Sequence, residues 1–101
     1  MTVQIQMSIA ELRREAKMLR NIAQAIEDNK RQVESGVTSL EGRWTGVGAE
    51  EFFTKYSGEW GPTIQKVIGQ IRAAAAELDA IATRMEEAEN QAQSSLRSIS
   101  I

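Results

Sequence analysis

The stretch Gly42-Arg43-Trp44-Thr45-Gly46-Val47-Gly48, written GRWTGVG, gathers three of the seven glycines and one of the two tryptophans of a 101-residue chain. On either side of it the sequence reads as helix. A rigid helix of about 35 residues extends about 50 Å, so a small chain carrying two such helices must stop, reverse and restart. Gly42 is expected to end the first helix, with Gly46 and Gly48 taking backbone angles that other residues avoid. Trp44 is expected to plug the closed end with its large ring. Glu50 and Glu51 then fall in the first turn of the returning helix, where negative charge is favoured.

Upstream of this stretch, Ser8-Ile9-Ala10-Glu11 has the form S-x-x-E, a capping signal at which a serine hydroxyl accepts from the Glu11 amide while Glu11 reaches back to the Ser8 amide. A stripe follows: Ile9, Leu12, Ala16, Leu19, Ala23, Ile26, Lys30, Val33, Val37, Leu40, Trp44. Its steps alternate between three and four, the mark of a coiled-coil seam. Only Lys30 is out of character. It reads either as a snorkelling side chain near Glu27 and Glu34 or as a polar seam residue that selects a partner.

Downstream, Phe53, Tyr56, Trp60, Ile64, Val67, Ile71, Ala74, Leu78, Ile81, Met85, Ala88 and Ala92 repeat the pattern with one irregularity, two consecutive steps of four at Tyr56, Trp60 and Ile64. Gly58, Gly61 and Pro62 fall in the same place, and Pro62 cannot donate to the Gly58 carbonyl, which its ring also crowds. A kink or short break is expected near 58–62. A second line, Ile64, Ile68, Ile71, Ala75, Leu78, Ala82, Met85, runs beside the first and gives this helix the broad apolar face of a bundle helix. The run Ala73-Ala74-Ala75-Ala76 lets a neighbouring backbone come close.

The expected architecture is therefore all-α: one domain over 1–101, with helix 1 at about 8–41, the turn at about 42–48 and helix 2 at about 49–96. Two antiparallel helices bury only the strips that face each other. A chain of this size with a broad apolar face left over favours a partner, and two hairpins packed as a four-helix bundle are the simplest solution. The seam expected to build that bundle is Leu12, Leu19, Ile26, Val33, Leu40, Ile64, Ile68, Ile71, Leu78 and Met85.

Composition excludes several functions. The chain has no cysteine and no histidine. Disulfide and thiolate chemistry are therefore ruled out, and the commonest general base and metal ligand are missing. No metal or cofactor is expected. A net charge of -2 argues against nucleic acid as a partner. No apolar run is long enough to span a membrane, and the opening MTVQIQMSIAELRREAK lacks a basic start followed by an apolar core, so it does not read as a cleaved signal peptide.

Trp44-Thr45-Gly46, at the centre of a helical hairpin of about one hundred residues, resembles the WXG family, the ESAT-like substrates of type VII (ESX) secretion. The resemblance covers essentially the whole chain, and Trp44 and Gly46 match the family's turn motif. It implies export without a cleaved signal peptide from the cytoplasm, a homodimer or a pairing with a sister protein, and recognition by the secretion ATPase. Family members often carry a C-terminal export signal, a hydrophobic or aromatic residue followed four later by an acid, with hydrophobic positions three and seven beyond the acid in the self-pairing branch. Met85, Glu89, Ala92 and Leu96 fit that spacing. The departure is Met85, where the mycobacterial form has tyrosine; the only tyrosine here, Tyr56, is followed four later by Trp60.

Three other readings compete. An enzyme finds little support, since the acids mostly lie off the seams and GRWTGVG lacks the lysine of a phosphate-binding loop. A non-secreted coiled-coil adaptor would share the heptads but has no reason to carry the turn motif with the C-terminal spacing. A membrane-active effector would show a face rich in lysine and arginine, whereas the balance here is mixed. The residues beyond about Leu96 are expected to fray unless bound.

Overall fold

The computed structural model describes residues 7–99. Helix α1 spans Ile9–Glu41, α2 spans Val47–Lys55, a π-helical turn covers Tyr56–Trp60, and α3 runs Gly61–Ile99. The first and third lie antiparallel in a hairpin measuring 82 × 30 × 16 Å. The smallest dimension is about half the next, so the molecule is a slab with two broad sides. Residues 1–6 and 100–101 lie outside the described part. Of the residues after Leu96, α3 includes those as far as Ile99.

Ser8 caps α1 from an extended backbone (φ -72°, ψ 159°). Its Oγ accepts from the Glu11 amide at 3.1 Å. The Glu11 carboxylate turns to the Ser8 hydroxyl, which donates to it at 3.2 Å, rather than to the Ser8 amide. At the other end the chain leaves α1 through a right-handed Gly42 (φ -77°, ψ -12°), and the Leu40 carbonyl collects the amides of Arg43 at 2.9 Å and Trp44 at 2.7 Å. Gly46 is the one described residue at positive φ. The expectation that Gly48 shares this role is corrected: it lies within the first turn of α2.

The irregular spacing around Pro62 takes the form of the π-helical turn, not a break. In a regular α-helix Pro62 would press on the Gly58 carbonyl and leave it without a donor. The chain widens instead, and the Gly61 amide donates five residues back to the Tyr56 carbonyl. The hydroxyls of Ser57 and Thr63 donate to the Phe53 and Glu59 carbonyls, each at 2.7 Å. A π turn holds one residue more than an α turn. That absorbs the extra residue betrayed by two successive steps of four, so the apolar lines of α2 and α3 stay in phase with α1.

Three ion pairs fix the register of α1 on α3. Arg13 meets Glu86 at 2.8 Å, Arg20 meets Asp79 at 2.6 Å and Glu27 meets Arg72 at 2.7 Å. The rungs step one heptad along α1 and one heptad back along α3. The same register sets Ala16 level with Ala82, Ala23 with Ala75, Lys30 with Ile68 and Val37 with Gly61. Ala16, Ala23, Ala75, Ala82 and Ile68 are fully buried, and Leu12 and Val37 nearly so. Alanine layers let the two backbones approach closely, but they remove little apolar surface from water.

The single stripe expected on α1 therefore splits in two. Ala16, Ala23, Lys30 and Val37 face α3. Of the expected bundle seam only Leu12 and Ile68 are buried within the chain. Leu19, Ile26, Ile64, Ile71, Leu78 and Met85 are half-buried, while Val33 and Leu40 are exposed. The reason is rotational. On each helix these residues lie one heptad position to the same side of the buried line, and because the helices are antiparallel both offsets turn toward the same broad side of the slab. The ion-pair ladder occupies the opposite offset and hence the other side.

Candidate functional site

The closed end of the hairpin is built on an aromatic chain. Trp44, delivered by the turn, packs on Phe52 at 5.7 Å and on Phe53 at 5.8 Å between ring centroids. Phe52 stands edge-on to Phe53 at 5.5 Å and reaches Trp60, in the π turn, at 5.7 Å. These tilted and edge-to-face geometries suit the quadrupoles of aromatic rings. Trp44 plugs the end only in part, since it remains 40% exposed, as does Trp60 at 42%.

Gly46 explains its place in the tripeptide. Its backbone (φ 118°, ψ -178°) lies in a region essentially reserved for glycine. From there its carbonyl accepts the Glu50 amide at 3.0 Å and starts α2. Trp44 and Gly46 thus act together: the glycine reverses the chain, and the ring lands on the first turns of α2. Val47, beside them, is 84% exposed.

The broad apolar side carries Ile22, Val33 and Leu40 from α1 and Val67 from α3 as exposed large residues, beside the half-buried Ile26, Ile71, Leu78 and Met85. Trp60 falls on the same heptad line as Val67, Ala74 and Ile81. The aromatic chain and the apolar side are therefore contiguous.

Lys30 interrupts the buried line of α1. Its stem packs inward, its side chain is 16% exposed, and its ammonium pairs with Glu34. The hydrogen bond from Lys30 to Glu34 raises the lysine above its ordinary pKa. Glu27 is engaged instead by Arg72, whose hydrogen bond holds the carboxyl below its ordinary value.

Met85, Glu89, Ala92 and Leu96 all lie on α3. Met85 is half-buried on the apolar side, Glu89 and Ala92 are exposed, and Leu96 is 65% exposed. The last ladder rung, Arg13 with Glu86, places Ala92 and Leu96 beyond the level at which α1 begins. These residues and Trp44 sit at opposite ends of the slab and do not meet within one chain.

Sequence reasoning missed Phe52, which lies midway in sequence between the two tryptophans. It also missed the ladder, whose signal was the heptad spacing of Arg13, Arg20 and Glu27 against Arg72, Asp79 and Glu86. Among the described residues no helix is long and apolar enough to cross a membrane, and no three potential ligands cluster to hold a metal.

A family model described as proteins of 100 residues with WXG (WXG100) matches residues 4–90. The chain belongs to the WXG100 family. Among solved structures, the secreted protein EsxB from Bacillus anthracis strain Sterne is similar, with a TM-score of 0.76 and 23% identity over 87% of this chain and 99% of that one. EsxA from Geobacillus thermodenitrificans gives a TM-score of 0.77 and 23% identity, covering 90% of this chain and 97% of that one. Comparison with curated protein sequences gave no match. At these identities the structural likeness establishes the helical hairpin, and WXG100 membership rests on the family model.

Proposed function

We propose that this WXG100 chain is a substrate of a type VII (ESX) secretion apparatus, exported as a pair of hairpins. The observation that carries the reading is the family match across residues 4–90. The geometry supports it. A slab that, among the described residues, fully buries one large side chain, Ile68, and keeps a continuous apolar side is suited to pairing, broad side to broad side, with a second copy or a sister hairpin in a four-helix bundle.

In this reading the secretion ATPase recognises the turn, through Trp44 and Gly46, together with the C-terminal positions Met85, Glu89, Ala92 and Leu96. Those two regions lie at opposite ends of one chain. A partner hairpin laid antiparallel brings the turn of one beside the chain end of the other.

The test is export of the tagged chain from cells with an active type VII apparatus and from the same cells lacking its ATPase. ATPase-dependent appearance in the medium is the expected result. Retention in both strains overturns the reading and leaves an adaptor that stays in the cell. Light scattering checks the pairing, with a species of twice the 11.2 kDa chain mass expected.

A further inference from the structure

The two exposed tryptophans belong to different surfaces. Trp60 lies on the heptad line of Val67 and Ile81, within the apolar side. Trp44 stands on the turn, next to Gly46. Phe52 touches both, with ring centroids 5.7 Å from each. Phe53 closes the group, 5.8 Å from Trp44 and 5.5 Å from Phe52. Each ring is in direct contact with the next while the two tryptophans keep an open side, at 40% and 42% exposure, so restricting one ring restricts its neighbour. The π turn is what makes the connection. By holding one extra residue it rotates Trp60 onto the apolar side of α3 while Phe52, one helical stretch earlier, still faces the turn.

We propose that Phe52 couples the pairing surface to the turn: when a second hairpin covers Trp60, its ring is held, Phe52 is held by it, and Trp44 becomes fixed on the turn. An unpaired chain then presents a mobile Trp44 and a paired chain an ordered one. The turn surface is completed only after assembly, so a receptor that reads Trp44 favours pairs over single chains. The mechanism is ordering of a pre-existing arrangement, in which the partner contributes by restricting Trp60. This inference rests on the pairing proposed above.

With two tryptophans in the chain, each can be read alone. In a chain labelled with 15N-tryptophan the two indole N–H signals are read separately with both rings in place, Trp44→Phe and Trp60→Phe serving only to assign them. The heteronuclear NOE of each, which follows fast ring motion rather than overall tumbling, is recorded over a dilution series with light scattering on the same samples. The expected result is a rise for both tryptophans, with midpoints that coincide with the doubling of mass. Adding Phe52→Leu, which fills the space without a ring, is expected to abolish the Trp44 response while the Trp60 response persists. A Trp44 signal that stays flat through assembly overturns the coupling even if the mass doubles. So does a full Trp44 response in the Phe52→Leu background, which would mean the partner touches Trp44 directly. A Phe52→Leu chain that no longer pairs leaves the decision to the Trp44 signal with Phe52 intact. A chain that stays at 11.2 kDa overturns the pairing itself, and the mass alone distinguishes that case.

Discussion

Glu27 and Arg72 meet across the hairpin at 2.7 Å with their charges reversed relative to the rungs beyond them, where Arg13 and Arg20 on α1 hold Glu86 and Asp79 on α3. The reversal makes the ladder readable in one register. A slip of one heptad sets Arg20 against Arg72 in one direction and Glu27 against Asp79 in the other. The Ala16 and Ala23 layers present the same side chain at successive heptads and resist such a slip less well.

Reversing one rung should show this. Asp79→Arg is expected to lower stability by about 0.5–1 kcal/mol, the range of a partly exposed pair. In a domain of this size that is a fall in Tm of about 2–8 °C. The exchange Arg20→Asp with Asp79→Arg is expected to recover most of the loss. Thermal melts of the full double-mutant cycle check it. The coupling should shrink in about 1 M salt, where the Debye length is about 3 Å.

The pH dependence has two flanks. Glu27 is held below its ordinary value of 4.5 by Arg72. Its contribution is present above that value and is lost as pH falls through the folded-state pKa. Lys30 is held above its ordinary 10.5 by Glu34, so its contribution is present below that value and is lost as pH rises through the folded-state pKa. Urea melts of wild type and Glu27→Gln should differ near neutral pH and converge at low pH. Lys30→Met should differ from wild type near neutral pH and converge with it on the alkaline side.

Three glycines are expected to answer alanine differently. Gly46→Ala forces a side chain into a glycine-only backbone region and should cost about 1–3 kcal/mol. At Gly61 an added Cβ lies 3.1 Å from the Tyr56 carbonyl oxygen. That backbone atom is fixed by the π turn, so crowding outweighs the gain in helix propensity and the net loss should be about 1 kcal/mol. At Gly58 an added Cβ meets nothing within 4 Å, and alanine should stabilise by about 0.5–1 kcal/mol. Denaturant midpoints of the three variants give the order directly.

Among the described residues, the Tyr56 hydroxyl is buried without a hydrogen-bond partner. An unmet buried hydroxyl costs about 1–3 kcal/mol. Tyr56→Phe keeps the ring against Gly61 and removes the cost. Its Tm is expected to equal or exceed that of wild type, and a clear fall would show that the hydroxyl is in use.

Much of the fold was legible because helices write themselves locally. Ser8 with Glu11 marked the start of α1, the three-four stripe marked its length, and Trp44-Thr45-Gly46 marked the reversal. Even the π turn left a trace, in the spacing of Tyr56, Trp60 and Ile64 beside Pro62. The stripe could not say which of its residues face the other helix and which face outward, because adjacent heptad positions share the same periodicity. Leu40 and Val37 look alike in sequence, yet one is 38% exposed and the other 8%.

Two long helices, a glycine-made turn with a tryptophan in it, and more apolar surface than one hairpin can hide are all written in the order of the residues. That alanines line the contact, that the large aliphatic residues gather on one broad side, and that Phe52 joins Trp60 to Trp44 came from the packing of one helix on the other. Periodicity sets a residue's angle on its own helix, while its surroundings depend on how the second helix is rotated and slid against the first. Here that choice was made by close-packing alanines, three ion pairs and one extra residue in a π turn.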